Sequence, residues 1–211
     1  KLYEAFKSYQ EVIEKYPFSE RSSELVGRQY VIGNKLLEGG KARFVGGILG
    51  SDYDVVDVFR TIIKNAPYGE YAAPSQYKIG LYLHERQLYQ EARDEFEKVI
   101  NDYPESEWAK AAQYQIALSD SKRSAEAEYD QKVTQSAVDE FKEFVKANPD
   151  AELSSKAQKE IQKLREKEAE NNFLVAQFYE KQKNYKAAKL YYNSIIDNFA
   201  GTSWAAKSLE K

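Results

Sequence analysis

The 211-residue sequence contains no cysteine and one histidine. Without thiols it can form no disulfide, no thiolate nucleophile and no Cys-ligated zinc site. His84 would need converging carboxylates to hold a metal, and its companions on one helical face are Gly80 and Leu81, so it reads as a surface or groove residue. No apolar run approaches the ~18 residues of a membrane-spanning helix, and no signal-peptide pattern is visible. The formal net charge of −3 lacks the basic excess of a nucleic-acid binder. No G-x-x-x-x-G-K-[ST] loop follows a strand, so a phosphate cradle is not expected. No nucleophile–base arrangement stands out. Asp94, Glu95 and Glu97 cluster in sequence, but they read as an ordinary exposed helix face without an acid–base role. The expectation is a chain with no catalytic residue, no cofactor and no metal.

What is present is apolar and aromatic residue in a strict rhythm. Hydrophobic residues make up 42%, aromatics 14%, and 17 residues are tyrosine. Charges of both signs are interspersed, as on a solvated helix surface. Five segments share one spacing of 0, 4, 7, 8, 11, 12 and 14. The first is Ala5, Tyr9, Val12, Ile13, Tyr16, Pro17, Ser19. The others start at Val55, Ala92, Ala137 and Ala188 and carry Phe59, Phe96, Phe141 and Tyr192 four residues on. These steps place the side chains on one helical face. The small first residue admits a neighbouring helix, and the aromatic fills the space beside it. Pro17, Pro67, Pro104 and Pro149 stop four of the five helices, with Ala200 in that place in the fifth. Ser19, Ser106 and Thr202 are candidate N-caps for the next helix in each case.

A second motif precedes four of these helices: Gln29-Tyr30-Val31-Ile32-Gly33, Gln76 to Gly80, Gln113 to Ala117 and Asn172 to Ala176. Its last residue is Gly or Ala, as a tight helix crossing requires. In two repeats it lies 12 positions before the small residue of the next helix, the helix–turn–helix spacing of a tetratricopeptide (TPR) repeat. The predicted fold is all-α, a right-handed TPR-type α-solenoid of nine to ten helices. One domain, 1–211, is expected, with repeats at 1–19 (partial), 22–69, 72–106, 109–151 and 154–202 and a short closing helix from Trp204. The chain opens on a second helix without its partner, so an upstream portion of the protein is expected to be missing.

Function on a solenoid concentrates in insertions and on the concave face. Gly39–Gly50 holds five glycines among twelve residues, which disfavours helix. It is expected to be a loop, either tucking Phe44, Ile48 and Leu49 against its own repeat or contacting a partner or lipid. Ser121–Thr134 is polar and reads as a helix extension or solvated loop. Residues 154–182 read as one overlong helix offering a ledge. Tyr30, Tyr77, Tyr114 and Phe173 occupy one place in each repeat. They either pack between helices or border the concave groove, where tyrosine suits extended peptides. Asn34, Leu81, His84 and Leu118 would share that face.

The segments EVIEKYPFSE, KVINDYPESEWAKAAQYQIAL, FVKANPDAELSSKAQKEIQKL and FYEKQKNYKAAKLYYNSIIDNF together resemble the BamD (YfiO) family of outer-membrane assembly lipoproteins. The match is carried by residues 72–211. The first third, with its glycine-rich stretch, departs from the family pattern. The resemblance implies a non-catalytic scaffold on the periplasmic face of the bacterial outer membrane, anchored by a lipidated Cys upstream of Lys1. It implies protein partners: unfolded β-barrel clients and barrel-assembly subunits such as a BamA-like protein. Carried over by repeat, Tyr30, Asn34, Tyr77, Leu81 and His84, with Tyr114, mark the client groove. Tyr179 and Tyr185 mark the docking side. The alternative is another periplasmic TPR adaptor, of the CpoB/YbgF kind, that coordinates envelope and cell division.

Overall fold

The computed structural model describes residues 1–45, 54–126 and 131–211. Among the described residues the regular structure is helical throughout: α1 Leu2–Lys15, α2 Ser22–Val45, α3 Val55–Asn65, α4 Ala72–Glu85, α5 Tyr89–Asp102, α6 Glu107–Glu126, α7 Gln131–Ala147, α8 Glu152–Lys181, α9 Tyr185–Asn198 and α10 Ser203–Leu209. The order is the expected one, a lone helix, four helix pairs and a short closing helix. The chain forms two compact units, Lys1–Ser119 and Asp120–Lys211, with the boundary inside α6.

The repeated spacing reappears as repeated turn chemistry. After α1, α3, α5, α7 and α9 the C-capping N–H closes onto the carbonyl four residues back: Tyr16 to Val12, Ala66 to Ile62, Tyr103 to Val99, Asn148 to Phe144 and Phe199 to Ile195. Three residues on, Ser19, Gly69, Ser106, Ala151 and Thr202 each donate an N–H to that capping residue's carbonyl. In four turns proline lies between the capping residue and that donor, where it cannot continue the helix. The fifth forms with Ala200, so proline reinforces this turn without being required for it. Thr202 caps α10, accepting from the Ala205 N–H at 3.2 Å. Ser106 instead donates to the Tyr103 carbonyl, and Ser19 lies three residues ahead of α2, accepting from the Arg21 N–H. Asp54 and Asn184 cap α3 and α9.

In the first unit α1 to α5 pack in sequence, each against the next. Phe59, Ile62, Phe96 and Val99 of the repeated face are fully buried, at about 1.5–3 kcal/mol per side chain. The first half of α4, Ala72 to Tyr77, is buried all round because α3 and α5 both pack against α4. Two glycines mark the crossings. A Cβ on Gly80 would lie 2.5 Å from the Phe96 ring, and one on Gly33 would lie 3.2 Å from Phe59. In the second unit α8 packs with α7, α9 and α10, and Ala169, Phe173, Ala176, Ala188, Tyr192 and Ile195 form the core.

Two expectations change and one is decided between its alternatives. The helix does not stop at Gly39: α2 continues to Val45. Leu36 and Leu37 anchor the preceding turn in the core, and a Cβ at Gly39 would meet no neighbour, so glycine there faces open space. Residues 46–53, with Ile48 and Leu49, and the side chain of Phe44 lie outside the described residues. The stretch from Ser121 is the first of its two expected forms, a helix extension to Glu126. Asp120, Ser121 and Ser124 are buried, and the Ser124 hydroxyl is hydrogen-bonded to Thr134 at the start of α7. Finally, α8 is the long helix foreseen, yet part of it is not a free ledge. Arg165 donates to the carbonyls of Asn198 and Ala200 at 3.2 Å, and Glu166 accepts from the Ser203 N–H at 2.9 Å, strapping the α9–α10 turn.

Candidate functional site

The repeat tyrosines are placed by their helices into a recurring triplet of rings. Tyr30 meets Phe59 (6.3 Å between centroids) and Tyr71 (4.9 Å). Tyr77 meets Phe96 (5.4 Å) and Trp108 (5.1 Å). Phe173 meets Tyr192 (5.3 Å) and Trp204 (5.1 Å). Each triplet joins the first helix of a pair, its second helix, and the start of the next helix. Edge-on and tilted rings at these distances add to the area they bury. Tyr77 and Tyr114 are only 8% exposed, so packing between helices accounts for most of their surface. The third ring was missed in the sequence. Its signal was an aromatic four residues after the turn proline or alanine: Tyr71, Trp108 and Trp204.

Around these rings the other groove candidates are half-buried. Asn34 donates to the Tyr30 carbonyl at 2.9 Å, one turn away on α2. Lys78 lies over the Tyr30 ring at 6.0 Å, linking α4 to α2. Leu81 packs at the border of the Tyr77–Phe96 core, and the His84 ring meets Tyr89 at 5.0 Å. Burial pushes the phenols of Tyr30 and Tyr77 above their ordinary pKa, with Asn34 and Gln115 acting the other way. Both therefore stay neutral as hydrogen-bonding tips. Gln115 donates to the Tyr77 hydroxyl at 3.4 Å.

The acidic cluster on α5 is not the uniform exposed face expected. Asp94 is exposed and Glu97 pairs with Arg93, but Glu95 is buried. Gln76 donates to its carboxylate at 2.5 Å, Lys98 approaches to 2.8 Å and Arg60 to 3.2 Å. Burial pushes this carboxyl up, while Lys98, Gln76 and Arg60 together hold it below its ordinary range. It is a structural anion that ties α3, α4 and α5, with every contact satisfied from within the unit. A neutral counterpart joins α1, α2 and α3: Asn65 donates to Gln10 at 2.6 Å and to the fully buried Gln29 at 2.9 Å.

In the second unit the candidates differ in exposure. Tyr179 is half-buried, stacked on Tyr191 at 5.6 Å and edge-on to Phe178 at 5.7 Å. Tyr185 is 66% exposed at the start of α9. Phe178 (57% exposed), Leu174 and Leu190 are exposed as well, and none had been singled out. The signal was legible in α8. Ala169, Phe173 and Ala176 define its core stripe, while Leu174 and Phe178, four apart, mark a second apolar stripe on the opposite side. Tyr192, beneath, donates to Glu180 at 2.9 Å; burial and that carboxylate push its phenol up to about 12.

Among the described residues no three metal-ligating side chains converge, and no helix is long and apolar enough to cross a membrane. The outer membrane lipoprotein family YfiO matches residues 56–211, from α3 to the end of the chain. The match thus begins ahead of residue 72, where the sequence resemblance was placed. No curated protein matches the sequence significantly. Among solved structures, the crystal structure of a variant Podosopora anserina protein, described as a kinesin light chain with nearly identical TPR-like repeats, is similar at 13% identity. That alignment covers all of this chain and 89% of the other, with a TM-score of 0.46.

Proposed function

The chain belongs to the YfiO family of outer membrane lipoproteins, and on that premise we propose that it is a non-catalytic scaffold for assembling β-barrel proteins into the outer membrane. It acts from the periplasmic face, held there by the lipid anchor that the family description implies. The observation that carries this reading is the second apolar stripe of α8. Leu174 and Phe178, with Tyr185 and Leu190 of α9, expose apolar surface that the unit's own core does not use. Exposed aromatic side chains beside a half-buried tyrosine stack have the character of a protein-binding hot spot. This face, with Tyr179 and Tyr185, would dock a barrel-assembly subunit.

The first unit would receive client segments. Tyr30, Asn34, Leu81 and His84, which are partly exposed, would line its groove, and the buried rings of Tyr77 and Tyr114 would support it. A photo-crosslinking residue placed at Tyr30, His84 or Phe178 in cells tests both halves. Barrel precursors are expected from the first two positions and an assembly subunit from the third. Recovery of neither class from any position would sink the scaffold reading.

A further inference from the structure

The second unit holds a cavity of about 750 Å³ between α7, α8 and α9, well within the range of ligand-binding clefts. Its rim carries Lys132 and Lys142 from α7 and Arg165 from α8, and Gln135, Val138, Asn172, Ser194, Asn198 and Phe199 form the rest of its lining beside Glu168. Glu168 lines it from α8. This carboxylate is only 8% exposed and makes no hydrogen bond or ion pair among the described residues. Glu95 in the first unit shows what a settled buried carboxylate looks like here: an amide, an ammonium and a guanidinium within 3.2 Å. Glu168 has none of these. Burial pushes its carboxyl above the ordinary range, with Asp139 adding to the rise and Arg165 and Lys142 acting against it. Glu168 reaches solvent only through this cleft, so water is its donor there, and a ligand that brings a charged donor exchanges that water for a stronger, directed contact.

The geometry points to a docking site for a partner protein that inserts an arginine or lysine side chain onto Glu168 and sets neighbouring carboxylates against Lys132, Lys142 and Arg165. The charge pattern selects this occupant. A wholly basic segment would be repelled at the rim, and a wholly acidic one would meet Glu168 inside. A segment with a basic residue flanked by Asp or Glu satisfies both. Such a site lies apart from the apolar stripe of α8 and gives the scaffold a second, polar contact. The inference rests on reading the chain as a protein-binding scaffold.

The test uses the full-length lipoprotein in cells, with a photo-crosslinking residue at Asn172 and, separately, at Phe178. The Asn172 crosslink is expected to map to a partner segment with Arg or Lys beside Asp or Glu. Glu168→Lys should cut its yield at least about tenfold, and reversing the partner's basic residue to Glu should restore it. Glu168→Gln keeps the shape and removes a buried charge. It should fold at least as stably as the parent and still lower the yield severalfold, which covers the case in which Glu168→Lys fails to fold. A crosslinked segment without a basic residue, a yield indifferent to Glu168→Gln, or no crosslink at Asn172 while Phe178 still crosslinks would overturn the site. Silence at both positions would overturn it together with the scaffold reading.

Discussion

The two units build the same aromatic triplet around different crossings. In the first unit Tyr77, Phe96 and Trp108 close over Gly80, where no Cβ fits. In the second, Phe173, Tyr192 and Trp204 share a core with Ala176, whose methyl is accommodated without exposure. The polar groups differ more. The first unit buries a carboxylate, Glu95, inside a complete set of donors, while the second buries Glu168 facing a cavity with none. One repeat pattern therefore supports a unit whose buried carboxylate is satisfied from within and a unit whose buried carboxylate faces a cavity. Similar sequence periodicity does not imply similar treatment of buried polar groups.

Four predictions probe this contrast, in order of expected effect. Removing the second-helix ring of a triplet should cost most. Phe96→Ala is expected to destabilise by about 3–5 kcal/mol, and Tyr192→Ala by a comparable amount that includes the lost Glu180 hydrogen bond. Urea unfolding of the two variants would compare them, and a cost under ~1 kcal/mol in either would remove that ring from the core. Next, Gly80→Leu should cost ~1–3 kcal/mol or more by overpacking against Phe96. Even Gly80→Ala should destabilise, despite a gain in helix propensity of ~1 kcal/mol, whereas Ala176→Gly should destabilise in the opposite chemical direction. A stabilised Gly80→Ala would show that the Phe96 ring yields.

Third, the two carboxylates should respond to acid with opposite sign. The folded pKa of Glu95 lies below its unfolded value, so its contribution is present above the unfolded pKa and is lost as pH falls through the folded one. Glu168 has its folded pKa raised, so it weakens the fold above that pKa and is relieved as pH falls through it. Glu95→Gln should therefore cost about 1–3 kcal/mol at neutral pH and little in acid. Glu168→Gln should stabilise at neutral pH and leave the acid limit unchanged. Thermal unfolding from pH 7 down to about pH 2 checks both, since the Glu95 contribution is lost only as pH falls through its lowered folded pKa, and parallel profiles would refute the contrast. The smallest effect concerns the tight turns. Gln87 and Lys183 sit at φ 64° and 59° in the α4–α5 and α8–α9 turns, where Leu88 and Asn184 donate back to Leu83 and Tyr179. Left-handed backbone is costly for a side-chain-bearing residue, so Gln87→Gly and Lys183→Gly should each stabilise by up to ~1 kcal/mol. A loss of stability in either would mean that its side chain matters more than its backbone.

Much of the fold was legible because helix periodicity and turn punctuation are local. The five spacings placed α1, α3, α5, α7 and α9, and the Gly/Ala motif placed their partners. The core residues Phe59, Phe96, Phe141 and Tyr192 were named from that register alone and are buried. The glycine-rich stretch misled because glycine's cost is a propensity, and the helix already anchored by Leu36 and Leu37 carried on through it. The candidate site was less legible. Tyr77 and Tyr114 were identifiable as special positions, but the spacings that mark Phe96 and Trp108 do not say that helix packing brings both rings onto Tyr77. Phe178 was visible only to a reading that sought a second stripe on a helix whose first stripe already explained it.

The sequence by itself determined the helical repeat, its register, its turns and the residues of its apolar face, because each depends on contacts within a few turns of chain. Only the tertiary structure decided which polar groups became buried and whether they found partners. Glu95 and Glu168 are both acidic residues on amphipathic helices, and nothing nearby in sequence tells them apart. Arg60, from α3, and Gln76, from α4, complete the donor set of one; the spacing of α7, α8 and α9 leaves the other facing a cavity. Desolvation and charge pairing depend on what neighbouring helices bring into contact, and that is a property of packing.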